Sequence, residues 1–165
     1  MQTYKTQIDV RWSDLDVNAH LANAAYITFT SQARMEALRA EGLGVQQLKE
    51  WGYGPVIFSE RFQYFREIMP HQTVHIHTRC TGTSENLVLF EFEQQLYGED
   101  GTHHASSSIF GCWIDMNTRS MAKHFIPEMK EILSNFRSPE GRNLSLADIK
   151  QLPVKPKNIS PEELL

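Results

Sequence analysis

The sequence predicts an α+β domain in which one long helix lies across a single antiparallel sheet. Three observations predict it. Apolar residues alternate at period two near the start, recur at three and four residues through the next stretch, then return to period two in successive short runs. The helical stripe, Tyr26, Phe29, Ala33, Ala37 and Ala40, is mostly alanine beyond Phe29, which lets a sheet approach the helix backbone closely. No repeated strand–helix alternation appears, so a doubly wound parallel sheet is disfavoured.

Residues 3 to 12 read as a half-buried strand, with Ile8, Val10 and Trp12 on one side and Gln7, Asp9 and Arg11 on the other. The helix follows from Ala24 to about Glu41, and Gly42 and Gly44 end it. Val45 to Trp51 adds a short helix. From Gly54 the strand period returns, with Val56, Phe58, Phe62 and Tyr64 on one face, until Pro70 breaks it. Residues 72 to 80 turn Val74, Ile76 and Cys80 inward and His75, His77 and Arg79 outward. Leu87 to Leu96 and Ser106 to Met116 are further strands, joined through the turn "GEDG" at 98 to 101; such spacing reads as an antiparallel meander. "PEMKEILSNF", 127 to 136, has proline at a first helical position and closes the domain. The domain is expected over residues 1 to 137. The proline-rich stretch 138 to 165 is a C-terminal extension, in which Ser145 and Asp148 have the spacing to cap a brief turn of helix.

At 165 residues the chain can bury one core, and 41% apolar with 22% charged residues matches an ordinary globular domain. A net charge of −4 with scattered basic residues argues against nucleic acid as a partner. Cys80 and Cys112 sit inside apolar strand runs, where reduced thiols act as small hydrophobes. The start "MQTYKTQIDV" lacks a signal-peptide core, and no run approaches the ~18 apolar residues of a membrane span, so the expected location is cytoplasmic, with no membrane span. His75 with His77, and His103 with His104, lack a carboxylate or cysteine at ligand spacing; they read as solvated or interface residues, and no metal or other cofactor is expected.

"RWSDLDVNAHLANAAY", residues 11 to 26, concentrates polar groups between the first strand and the helix. Asp14 and Asp16 alternate across the strand end and do not form a carboxylate pair. Asn18 suits a turn, and Asn23 stands where a helix N-cap belongs. A helix N-terminus presents unpaired N–H groups and the positive end of the macrodipole. A carboxylate just before it can attack a carbonyl or activate water, which makes an acyl-transfer site. An ordinary capped turn accounts for the same residues without chemistry.

"SDLDVNAHLANAAYITF" followed by "QARMEAL" resembles the hot dog fold thioesterases of the 4-hydroxybenzoyl-CoA thioesterase type, whose signature D-x-D-x-x-G-H-V-N-N-x-x-Y precedes a long central helix. Asp14, Asp16, His20, Asn23 and Tyr26 fall on matching positions, and the similarity runs over residues 3 to 136. The resemblance implies a curved antiparallel sheet wrapped round the helix, and a homodimer joined edge to edge or a homotetramer, with active sites at the subunit interface. It implies hydrolysis of an acyl-CoA thioester. It makes Asp16 the catalytic carboxylate, the backbone N–H of Asn23 the group that polarises the carbonyl, His20 a residue near the thioester, and Tyr26 a substrate-binding position. Ala19 stands where the family has glycine, and Ala22 replaces the first asparagine of the pair.

Arg66, in "YFREIMP", is the favoured cation for the phosphates of CoA, ahead of Arg61, Arg79 and Lys123. Phe29, Phe58, Phe62 and Trp113 suit an acyl pocket or plain core equally. No G-x-S-x-G elbow is present, which argues against a serine hydrolase route. Two rivals stand beside the acyl-CoA thioesterase: a non-catalytic hot dog protein that binds acyl-CoA or acyl-carrier protein, and an enzyme whose donor is acyl-carrier protein.

Overall fold

The computed structural model describes residues 2–158 and 160. Strand β1 (Tyr4–Asp9) leads through a 3-10 turn (Trp12–Asp14) to helix α1 (Asn23–Ala40) and the short α2 (Val45–Trp51). Four long strands follow: β2 (Tyr53–Tyr64), β3 (Thr73–Ser84), β4 (Leu89–Tyr97) and β5 (His103–Asp115). Then come β6 (Ser120–Met121), α3 (Pro127–Asn135), β7 (Arg142–Leu144) and α4 (Leu146–Lys150). One sheet has the order β1-β3-β4-β5-β2, antiparallel along that path, with β6 beside β5 and β7 parallel to β3. It curls round α1 as a half-barrel, the hot dog arrangement.

The alanine stripe explains the wrap. Ala33 and Ala37 are fully buried, so the sheet closes on the helix backbone there. Towards its N-terminal end α1 packs Tyr26 and Phe29 with Ile76, Leu96 and Ala105; a second cluster joins Leu38 to Phe90, Phe92, Trp113, Met129 and Phe136, so α3 closes the far end. Gly111 belongs to that end because a Cβ there would meet the Val56 carbonyl and the Phe90 ring. Cys80 and Cys112 are both buried and unbridged, and burial pushes the Cys80 thiol up to about 12.

The structure corrects three expectations about the strands and His104. Trp12 is not an inward strand residue: β1 ends at Asp9, the chain turns, and Trp12 is 89% exposed. In β2 a bulge between Ile57 and Ser59 changes the parity of the strand. Phe58 therefore pairs its ring with Phe110 on the outer face, while Ile57 lines a cavity against the helix and Glu60, Phe62 and Tyr64 face inward. His104 is buried, not solvated, because its Nδ1–H donates to the Glu67 carbonyl at 2.8 Å. Residues 142–144 of the C-terminal stretch add strand β7 to the sheet and bury Leu144, while Ser145 and Asp148 form the expected capping box on α4.

Candidate active site

Asp14 is a structural anchor. The Arg11 backbone N–H and Nε–H donate to its Oδ2 at 2.9 and 3.0 Å, and Nη2 donates to Oδ1 at 2.9 Å, which holds the buried carboxyl below its usual range. The Asp14 carbonyl then accepts from the Ala22 N–H at 2.9 Å, Leu15 bridges Leu21, and the Leu21 N–H donates to the Ile68 carbonyl at 2.9 Å. The chain thus doubles back and sets the loop of residues 16 to 20 beside the start of α1.

Within that loop Asp16 Oδ1 accepts from the N–H groups of His20 and Asn18, at 3.2 and 2.8 Å. The Asp16 N–H donates back to the His20 carbonyl at 2.8 Å. These amide hydrogen bonds lower the Asp16 pKa, so the exposed carboxylate is ionised at neutral pH. The Asn18 side chain also lies against the carboxylate, and no backbone amide among the described residues bonds Oδ2. The His20 ring makes no hydrogen bond among the described residues but lies near enough to Asp16 to favour its ionised form.

Ala19 keeps the left-handed conformation that glycine would adopt freely, at φ 58°. The Asp16 carbonyl holds it by accepting from the Ala19 N–H at 3.1 Å. Ala19→Gly is expected to raise stability by about 1 kcal/mol, read as a higher urea midpoint at unchanged slope.

Helix α1 is capped by Ala22, not by Asn23, which is its first residue. The reason is the bond from the Ala22 N–H to Asp14, which fixes Ala22 in extended backbone one residue earlier than the polar side chain suggests. Alanine has no side-chain acceptor. The N–H groups of Ala25 and Tyr26 turn to the Ala22 carbonyl at 2.8 and 3.3 Å, and those of Asn23 and Ala24 have no acceptor among the described residues. Two open donors at the positive end of a helix can hold a developing oxyanion.

Tyr26 is 4% exposed and packs edge-on against Tyr64, ring centroids 5.0 Å apart. Burial, then the neighbouring Tyr64, Glu67 and Asp16, push its phenol up to about 12, so it stays protonated. Arg66 is exposed just beyond β2, and its backbone N–H and that of Phe65 donate to the His104 carbonyl at 3.1 and 2.8 Å. Its guanidinium has no partner among the described residues.

A buried polar network was not anticipated. Arg34, 8% exposed, donates through Nη1 to Glu60 Oε1 at 3.0 Å and to Gln94 Oε1 at 2.7 Å, and through Nη2 to Ser31 Oγ at 2.9 Å. Gln94 Nε2 donates onward to the Thr30 carbonyl and Thr78 Oγ1. The sequence signal was present: Arg34 interrupts the alanine stripe, and Glu60 falls two residues before the inward-facing Phe62. A cavity of about 180 Å³ lies beside this network.

The fold and loop define a hot dog protein with an ionised carboxylate at a helix start. The chain belongs to the thioesterase-like superfamily, whose family model matches residues 10–161. Solved structures share the fold at low identity. The protein SAV2348 from Staphylococcus aureus in complex with CoA is 15% identical with a TM-score of 0.74, covering 94% of this chain and 96% of that one. A DHNA-CoA thioesterase from Staphylococcus aureus is 18% identical with a TM-score of 0.75, covering 82% and 91%. Slr0204, a 1,4-dihydroxy-2-naphthoyl-CoA thioesterase from Synechocystis, is 14% identical with a TM-score of 0.70, covering 84% and 100%. Comparison with curated protein sequences returns no match. No helix among the described residues is long and apolar enough to cross a membrane.

Proposed function

We propose that this chain hydrolyses acyl-CoA thioesters to the free acid and CoA. The observation that carries the reading is the Asp16 carboxylate, tethered by two amides beside a helix whose first two N–H groups are open. The thioester carbonyl docks on the N–H groups of Asn23 and Ala24, and Asp16 Oδ2 attacks it or activates water. A lowered pKa keeps Asp16 ionised, the form that either attack or activation of water requires. The phenol of Tyr26 and the ring of His20 border the acyl end, and Arg66 meets a CoA phosphate. CoA in a fold relative supports that donor.

The site is open on a single chain, and a second copy completes it. Strand β2 ends the sheet and carries exposed Ile57, Phe58 and Tyr64, an apolar edge suited to antiparallel pairing with itself. A homodimer is the assembly this supports, with a homotetramer built from two dimers, working in the cytoplasm.

Thiol release from short, long and aromatic acyl-CoAs, by the wild type and by Asp16→Asn, tests the proposal. Equal release by both, or release by neither, overturns it. The tether of Asp16 also favours a second reading, in which the loop is merely structural and the protein binds acyl-CoA or acyl-carrier protein without turnover. Competition by free CoA separates a CoA donor from a carrier-protein donor.

Ala22→Ser gives a further check. A serine side chain there can accept from the open Ala24 N–H, so the helix gains about 1 kcal/mol while the carbonyl loses one of its two donors. The melting temperature is expected to rise while kcat falls at least about tenfold, since removing one such donor typically costs about 10²–10³-fold.

A further inference from the structure

The 180 Å³ cavity lies between α1 and the sheet, and its lining is apolar except at one wall. Leu38, Ile57, Phe90 and Phe92 supply hydrocarbon; Ser31 and Arg34 supply the polar wall. Arg34 has donors to spare. Of its five N–H groups, three are engaged, and Nε–H and one Nη2–H have no acceptor among the described residues. Ser31 Oγ accepts from Arg34, and its own proton has no acceptor there. These donors are not sealed from solvent, since Ser107 Oγ alone is buried without a partner among the described residues, but a tail that fills the cavity and displaces water leaves them unpaired unless it supplies an acceptor.

The size and charge of the cavity limit that ligand. A dry apolar cavity of about 150 Å³ takes benzene, so this one holds about one six-carbon unit. Glu60 already neutralises Arg34 at 3.0 Å, and a second carboxylate would stand beside a like charge. The acceptor is therefore a neutral oxygen.

One face of α1 leads from the helix start to the cavity. Asn23, Ile27, Ser31 and Met35 follow one another at four-residue spacing along α1, and Ile27 is half-exposed. Strand β2 runs antiparallel beside them, with Tyr64 against Tyr26, Glu60 against Arg34, and Ile57 at the cavity. The axial distance from Asn23 is about 12 Å to Ser31 and about 16 Å to Arg34. An extended chain advancing ~1.2 Å per bond covers that in roughly ten to fourteen bonds.

We propose that this cavity receives the far end of the acyl group, and that Arg34 selects chains of about twelve to fourteen carbons bearing a neutral oxygen, hydroxyl or carbonyl, near that end. The proposal rests on the reading of Asp16 and the α1 terminus as the thioester site. Plain hydrocarbon tails would leave the Arg34 donors unpaired.

The test compares dodecanoyl- and tetradecanoyl-CoA with their terminal-hydroxyl and penultimate-oxo counterparts. It reads kcat/KM for thiol release, and calorimetric Kd for the non-hydrolysable thioethers of the same set. Oxygen-bearing chains are expected to be favoured roughly tenfold to hundredfold in both readouts, and the hydroxyl and oxo arms identify which oxygen is read. In Arg34→Met/Glu60→Leu, checked for fold by circular dichroism, the ratio falls to near unity. If that variant does not fold, Arg34→Lys, which keeps the charge but lacks the Nε–H, is expected to lower the ratio. Equal values for plain and oxygen-bearing chains, or a ratio unchanged in the variant that folds, overturn the proposal and leave hydrolysis standing. Turnover of no substrate with the Kd preference intact overturns the catalytic reading and supports the cavity assignment.

Discussion

Replacing Asp16 with asparagine lowers kcat for thiol release by about 10²–10⁴-fold and leaves the urea midpoint nearly unchanged. Asparagine keeps an oxygen at the Oδ1 position, so it still accepts from the Asn18 and His20 amides and the loop holds its shape. What it lacks is a second anionic oxygen able to attack. The pH dependence follows from the same hydrogen bonds. They favour the ionised form and lower the folded pKa, so the stability they contribute is present above the unfolded pKa and is lost as pH falls through the lower folded one. The wild-type rate is therefore expected to stay level through the ordinary carboxylate range and to drop only below it. A rate that already falls near about pH 6 would count against Asp16 as the controlling group.

Arg34→Met lowers stability by about 3 kcal/mol, and Arg34→Met/Glu60→Leu recovers the part due to the unpaired Glu60 charge, while the Gln94 oxygen still lacks its donor. Removing the guanidinium alone leaves the Glu60 carboxylate, whose side chain is 17% exposed, without its cation, and leaves the Gln94 carbonyl oxygen without its donor. The partial exposure of Glu60 puts the loss near the lower end of the range for a broken buried pair. Removing both charges replaces an ion pair with packed hydrocarbon, which is close to neutral. Urea unfolding at unchanged slope reads both values. A single variant as stable as the wild type would mean that Glu60 turns to solvent and the network is not cohesive.

The alternation of Val74, Ile76 and Cys80, the helical recurrence from Tyr26 to Ala37, and the proline opening the last helix are local patterns. Local backbone geometry turns such patterns into strands and helices, so these elements stood where their residues indicated. The turn at Asn18 was legible for the same reason, since short polar side chains close turns on nearby amides, but Asp14, expected at a strand end, lies in the 3-10 turn because β1 stops at Asp9. The α1 cap was not legible, because a bond from Ala22 to the Asp14 carbonyl decided it, and that contact exists only once the chain has doubled back.

The residues by themselves therefore determined the order of the elements, the family, and the carboxylate in front of the long helix. Only the tertiary structure decided which oxygen and which amides are free, and which charge is buried. The bulge in β2 shows the physical reason. One extra residue reverses which side chains face the helix, carrying Phe58 outward and Ile57 and Glu60 inward to meet Arg34, and the pairing partner that fixes the bulge lies some fifty residues away on β5.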